Sequence, residues 1–265
     1  MYSVSSYSAQ GPRSTQEDRY LHETISADVK NGDGLLLAVM DGHCGNEVAD
    51  ILCQNLAPFF ADALIETSGN IFNSFEVIVS ELQSMTRQSD AGSTLSMVYI
   101  PAYQDKTKQY AYTCVIGDSP ILIHGKNNIT SMSIEHNAAV NDEDVDYILR
   151  NNKEKVQSGV LYISQGFVGL DTRYLQLTRA FGDHDFDEVI LREPSIEKVE
   201  IDENSFIVVA SDGVLYDETR ETIYQNIIRQ IKEGAEAKDI VQWALNKKAY
   251  DNVTVLVYHL SQAPA

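Results

Sequence analysis

Leu35-Leu36-Leu37-Ala38-Val39-Met40 runs directly into Asp41-Gly42-His43, and Phe206-Ile207-Val208-Val209-Ala210-Ser211 runs into Asp212-Gly213. An unbroken apolar run of this length, rich in branched residues and closed by a turn signal, reads as a strand buried on both faces. Each such strand delivers a carboxylate at its C-terminal end, where a glycine lets the backbone turn sharply. A third acid, Asp251, stands just before the strand-like run Val253-Thr254-Val255-Leu256-Val257-Tyr258. Three carboxylates at buried strand ends repel one another unless cations neutralise them, and their hard oxygens suit Mg2+ or Mn2+. Asp-Gly is also a common turn pair. By themselves the strand ends therefore leave open whether they are turns or ligands.

The rest of the chain limits the choice. Its 265 residues suffice for one large domain or two small ones. No internal repeat, low-complexity tract or Pro/Ser-rich linker marks a boundary, so residues 1–265 are read as one domain. Acidic residues outnumber basic ones, 39 to 20, for a net charge of -19. Such a surface repels phosphate backbones and anionic membranes, so neither nucleic acid nor membrane is expected as a partner. Cys44, Cys53 and Cys114 are odd in number and show no CxxC spacing, which reads as free thiols in a reducing compartment. No apolar run approaches the length of a membrane span, and Met1 to Ser5 lack a signal-type pattern, so a cytoplasmic location is expected.

Between the strands the apolar spacing turns helical. Residues 46–66 place Val48, Ile51, Leu52 and Leu56 on one face, with an interruption expected near Pro58. A second helix is read over 71–87, and strands over 93–100, 109–116 and 121–124. Asn141 followed by Asp142, Glu143 and Asp144 is an N-cap with an acidic first turn, opening a short helix. Helices are also read over 217–232, ending at Gly234, and over 237–247. Residues 151–170 show weak periodicity and several Gly and Ser, the pattern of a mobile excursion. This order fits an α+β layered domain of two sheets with helix pairs outside them.

Several further segments matter as a set: Gly11-Pro12-Arg13-Ser14-Thr15-Gln16-Glu17-Asp18-Arg19, Ala91-Gly92-Ser93-Thr94, Val115-Ile116-Gly117-Asp118-Ser119, Leu177-Thr178-Arg179-Ala180-Phe181-Gly182-Asp183 and Asp251-Asn252-Val253-Thr254-Val255. With the two Asp-Gly strand ends they resemble, in the correct order from about Gly11 to Leu260, the signature of the metal-dependent protein phosphatases (PPM), the type 2C serine/threonine family. The resemblance implies a four-layer α-β-β-α sandwich of two antiparallel sheets flanked by helix pairs, with a two-metal centre at one end. It implies hydrolysis of phosphoserine and phosphothreonine on phosphorylated proteins, using Mn2+ or Mg2+. Asp41 would bridge two ions, and the Gly42 carbonyl and Glu17 would complete one shell. Asp212 and Asp251 would hold the other ion, and Asp118 a third, weaker one. Two such ions about 3.5–4 Å apart can share a water, lower its pKa and present hydroxide in line with phosphorus. Arg13 has a planar fork that suits a phosphoryl group, with a surface salt bridge to Glu17 or Asp18 as the bland reading. His43 resembles the family's general acid, or else a turn residue or supporting hydrogen-bond partner. Asp18 is expected to orient His43 or a metal-bound water.

Departures from the family pattern carry their own expectations. Cys44 stands where the family has Gly, and either packs against the metal turn or confers oxidation sensitivity. Pro120 replaces an Arg. The stretch Asp212-Gly213-Val214-Leu215-Tyr216-Asp217 is one residue longer than usual, so Asp217 is not assigned to the third ion. Glu135-His136-Asn137 fits the pattern only in part. Residues 151–170 fall where the family carries a flap beside the cleft, expected to help select the substrate. The chain is expected to act as a monomer. Two alternatives stay open: a catalytically inert member that recruits partners, and another two-metal phosphoester hydrolase. The intact acids Asp41, Asp212 and Asp251 argue against the first. The acidic surface argues against the nuclease form of the second.

Overall fold

Strand β3 (Gly34–Met40) is buried along its whole length, and its side chains alternate between two separate cores. Leu36, Ala38 and Met40 join the core beneath one helix pair, while Leu35, Leu37 and Val39 join the core between two sheets. An unbroken apolar run is what a strand covered on both faces requires. The computed structural model describes residues 2–26, 33–102, 108–128 and 130–260. Its first five-stranded sheet runs β14 (Ser195–Ile201), β7 (Gln109–Ile116), β6 (Leu95–Pro101), β3 and β2 (Arg19–Ile25), in that order. The second runs β1 (Tyr2–Ala9), β16 (Val253–Leu260), β15 (Phe206–Ala210), β8 (Ile121–His124) and β9 (Thr130–Met132). All the pairings are antiparallel.

Helices α1 (Glu47–Glu66) and α2 (Ile71–Thr86) cover the first sheet, and α5 (Arg220–Lys232) and α6 (Ala237–Asn246) the second. The middle strands of the second sheet alternate as β3 does. Val208 and Ala210 of β15 and Val255 and Val257 of β16 face helices α5 and α6, whereas Ile207, Val209, Leu256 and Tyr258 face the opposite sheet. The four-layer sandwich expected from the sequence is present.

Pro58 does not interrupt α1. Both Pro58 and Gln54, whose carbonyl loses its donor, lie on the exposed face, so the missing bond falls toward solvent while Leu52, Leu56 and Phe60 stay buried. The same helix corrects the hydropathy reading. By length and composition alone it could cross a membrane, at a mean hydropathy of 1.4, but its apolar face covers the first sheet. Helix α5 begins at Arg220 rather than 217 because Thr219 caps it, accepting from Thr222 N. Asn141 caps α3 (Asp142–Asn151) as expected, accepting from Asp144 N at 3.0 Å.

Two small sheets complete the fold. One consists of β13 (Phe181–Gly182), β5 (Gly92–Ser93) and β4 (Gly42–His43) in that order. The other, β10 (Leu161–Ser164), β11 (Phe167–Leu170) and β12 (Arg173–Leu175), follows the short α4 (Lys153–Gln157); its first two strands fall within the expected flap, 151–170, and β12 lies just beyond it. There Gln165 and Gly166, both at positive φ, make the tight turn between β10 and β11, so this glycine serves a hairpin. The excursion has its own core around Ile148, Leu161, Val168 and Leu177.

Candidate active site

The sandwich brings the two Asp-Gly strand ends and Asp251 to the same edge. Ser211 N donates to Thr254 O at 3.0 Å, which keeps the chain after β15 beside the start of β16 and so sets Asp212 next to Asp251. Gly213 permits this approach, since a Cβ there would overlap the Asn252 carbonyl. Asp41 is tied to the strand opposite: its N–H donates to Thr94 Oγ1 at 3.1 Å, and its carbonyl accepts from Thr94 N at 2.9 Å. A cleft of about 280 Å3 results, lined by Arg13, Glu17, Asp41, Gly42, His43, Asp118, Asp212 and Asp251, among others. Of the residues given a catalytic or metal-binding role from the sequence, Asp18 alone is absent from this lining.

The carboxylates crowd one another. Burial, followed by repulsion from Asp18, Asp212 and Asp118, drives the Asp41 carboxyl well above its ordinary value. Asp212 is pushed up to about 8, first by burial and then by Asp118 and Asp251. Asp118 is raised by burial, against the opposing effect of Asn137 Nδ2, which donates to its Oδ2 at 2.6 Å. Asp18 rises to about 6 through burial, although its Oδ2 accepts from Ser211 (2.8 Å) and Thr254 (2.6 Å). Its Oδ1 is buried with no hydrogen-bond partner.

These features fit hard divalent cations. The site concentrates negative charge with little to neutralise it, its acidic donors are oxygens, and the orphaned Asp18 oxygen faces the same need. No three described His, Cys, Asp or Glu side chains close on a single point. The acids instead ring the cleft, an arrangement suited to ions that keep part of their water shell.

Arg13 stands half-exposed at the mouth. Its guanidinium lies 2.5 Å from Asp251, and Nε donates to Tyr250 O at 3.2 Å, so its ionic partner is neither Glu17 nor Asp18. Asn252 organises the segment that carries Glu17. Its Oδ1 accepts from Glu17 N, and its Nδ2 donates to both Gln10 O and Thr15 O, each at 2.8 Å. In the sequence alone Asn252 has no assigned role, although an amide directly after a candidate ligand is a signal for one.

Asp183 was missed in the same way. His43 Nε2 sits 2.8 Å and 2.9 Å from its two oxygens, so the expected orienting contact from Asp18 is replaced by one from Asp183. Its position after Gly182 repeats the Gly-Asp order of Gly117-Asp118. Cys44 is exposed at φ 58, so it does not pack against the turn. Burial and the nearby charges of Asp183 and Glu17 push its thiol up, away from thiolate. Asp217 is exposed and outside the cleft lining, as its extra-residue register suggested. Glu135-His136-Asn137 braces the Asp118 loop. His136 Nδ1 accepts from Gly117 N, and burial pushes its ring down to about 4, which keeps it a neutral acceptor. Nothing in the structure explains Pro120 in place of Arg. The expected flap residues 151–170 do not line the cleft; Tyr174, Leu175, Gln176 and Leu177 just beyond them do.

The family model for protein phosphatase 2C matches residues 2–253. Among curated relatives, Probable protein phosphatase 2C 11 of Arabidopsis thaliana is 27% identical over 256 residues, covering 94% of this chain and 64% of the relative. Protein phosphatase 2C homolog 1 of Saccharomyces cerevisiae is 28% identical over 269 residues, covering 94% of this chain and 89% of the relative. Among solved structures, a serine-threonine phosphatase 2C from Toxoplasma gondii superposes with a TM-score of 0.72 at 16% identity, covering 97% of this chain and 94% of the other. The catalytic domain of serine threonine protein phosphatase PstP, in complex with two manganese ions, gives 0.57 at 20% identity, covering 98% and 99%. These structural likenesses show a shared fold. With the family match spanning nearly the whole sequence, the chain belongs to the protein phosphatase 2C family.

Proposed function

We propose that this chain is a metal-dependent phosphatase that hydrolyses phosphoserine and phosphothreonine esters on proteins. One observation carries the reading: Glu17, Asp41, Asp118, Asp212 and Asp251 line a single cleft together with Arg13 and His43. Asp41, Glu17 and the Gly42 carbonyl would hold one Mn2+ or Mg2+, and Asp212 and Asp251, with Asp41 shared, the other. Asp118 is the candidate for a third. When bound, such ions would activate a water and offset charge on the phosphoryl oxygens. The chain's own groups supply the rest. Arg13, at the mouth, grips phosphoryl oxygens through its fork. His43 delivers a proton to the departing seryl or threonyl oxygen. Asp18, anchored by Ser211 and Thr254, keeps Oδ1 free to hold a water. The same reading has residues 1–265 act as one domain and a monomer in the cytoplasm, with neither nucleic acid nor membrane as partner. The net charge of -19 supports the last point.

The test is hydrolysis of para-nitrophenyl phosphate and of a phosphoserine peptide with Mn2+, with and without chelator, in the wild type and Asp212→Ala. Chelator-sensitive activity lost in Asp212→Ala is the expected result. A wild type without metal-dependent activity would refute the proposal, and metal-dependent cleavage of DNA but not phosphopeptide would favour a nuclease.

A further inference from the structure

The small sheet β13-β5-β4 does more than join the two halves of the site, because each of its strands contributes to one contact. Strand β4 carries His43, β13 ends immediately before Asp183, and β5 between them carries Gly92. His43 Nε2 faces both oxygens of Asp183, at 2.8 Å and 2.9 Å. Gly92 makes room for them: a Cβ there would overlap both His43 Nε2 and Asp183 Oδ2.

Asp183 is an expensive residue to place here. Its backbone is left-handed at φ 51, a conformation that costs a residue bearing Cβ on the order of 1 kcal/mol. Backbone bonds hold it there, with its N–H donating to Ala91 O at 3.0 Å and its carbonyl accepting from Phe186 N at 2.9 Å. The side chain is 6% exposed and caps no helix, and its hydrogen bonds among the described residues go to His43 alone. Arg192 acts on it only through space. A glycine would serve the turn at lower cost. The contact with His43 is what a buried carboxylate adds.

We infer that Asp183 is a positioning residue for phosphoester cleavage: it accepts the Nε2–H of His43, fixes the ring and its tautomer, and leaves Nδ1 as the nitrogen turned to the cleft. A carboxylate or carbonyl on one ring nitrogen generally decides which proton the other carries. When the P–O bond to serine breaks, its electron pair stays on the seryl oxygen and the proton on Nδ1 moves to that oxygen. His43 is left neutral with Nε2–H still on Asp183, and solvent returns the proton to Nδ1. This inference rests on the proposed role of His43 as general acid.

The experiment compares kcat and KM for a phosphoserine peptide and for para-nitrophenyl phosphate at saturating Mn2+, in wild type, Asp183→Ala, Asp183→Asn, His43→Ala and the Asp183→Ala/His43→Ala double variant. Para-nitrophenolate leaves without a proton, whereas a seryl alkoxide needs one. Asp183→Ala should lower kcat on the peptide about 10- to 100-fold, within the range of general-acid effects, with KM within about threefold. Its loss on para-nitrophenyl phosphate should be at least about tenfold smaller. Asp183→Asn, which keeps an oxygen for Nε2–H, should recover most of the peptide rate, and Asp183→Ala should add little to His43→Ala. Equal losses on the two substrates, no loss on the peptide, or an Asn variant as poor as Ala would overturn the inference. If Asp183→Ala fails to fold, the 15N spectrum of the neutral His43 ring in the wild type decides: the Nε2–H tautomer supports the pair and the Nδ1–H tautomer refutes it. A wild type inactive on both substrates would refute the phosphatase reading instead, and the tautomer would still decide on the pair.

Discussion

Replacing Asp212 by Asn should stabilise the metal-free protein while abolishing its metal-dependent activity. In the folded chain Asp212 binds its proton far more tightly than an ordinary carboxyl, rising from 3.8 to about 8, chiefly because burial disfavours its charged form and, after that, because ionising it sets a charge beside Asp118 and Asp251. A raised folded value means that the group's contribution to stability is intact below pH 4 and is lost as pH climbs through 8. Each tenfold change in proton affinity is worth about 1.4 kcal/mol, which sets an upper limit of about 6 kcal/mol well above pH 8. Asp212 borders an open cleft and interacts with Asp41, so water and counterions reduce the penalty to about 2–3 kcal/mol near pH 8. Asparagine keeps the shape and removes the charge. In chelator, urea unfolding of the wild type should therefore show declining stability from pH 5 to 8, and Asp212→Asn should flatten that decline. At pH 8 the variant should melt about 5–10 °C higher. Mn2+ should reverse the order, raising the wild-type melting temperature more than the variant's. A chelated wild type as stable at pH 8 as at pH 5, or an Asn variant no more stable than wild type at pH 8, would refute the stored repulsion.

Other expectations follow from single contacts. Cys44→Gly should raise stability by about 0.5–1 kcal/mol, because it relieves a left-handed backbone at an exposed side chain. Its rate of inactivation by peroxide should match the wild type's; slower inactivation would restore a redox role for the thiol. Arg179→Ala leaves Asp144 buried without the guanidinium that contacts it at 2.6 Å and 2.9 Å, and should cost about 3–5 kcal/mol in denaturant unfolding. Tyr174, 60% exposed at the cleft edge with its ring braced by Tyr162, should contact substrate flanking the phosphate. Tyr174→Ala should then raise KM for a phosphopeptide about tenfold and leave KM for para-nitrophenyl phosphate within about twofold, the loss expected for one aromatic contact. Equal KM changes for both substrates would count against that contact.

The parts of the fold legible in the sequence were those whose burial pattern is local. Strands β3, β15 and β16 announced themselves as continuous apolar runs because each is covered on both faces, and helices α2 and α6 by regular spacing of their buried side chains. Edge strand β14 gave no such signal, since Glu197 and Lys198 stand exposed along it. Helix α1 misled at Pro58 because a proline's effect depends on which face it occupies, and that face is set by the sheet beneath.

At the site the division is similar. Acid-Gly turns after apolar strands pointed to carboxylates gathered at strand ends, since both the turn and the strand are encoded within a few residues. The partners of those carboxylates were not encoded locally. His43 meets Asp183 across 140 positions, Ser211 meets Asp18 across 193 and Arg13 meets Asp251 across 238. The sequence by itself determined which strands are buried and where they end in acids, because side-chain hydrophobicity and glycine turns act over short range. Only the tertiary structure decided which acid serves which neighbour, because those contacts exist only once two sheets have stacked and brought distant turns to one edge.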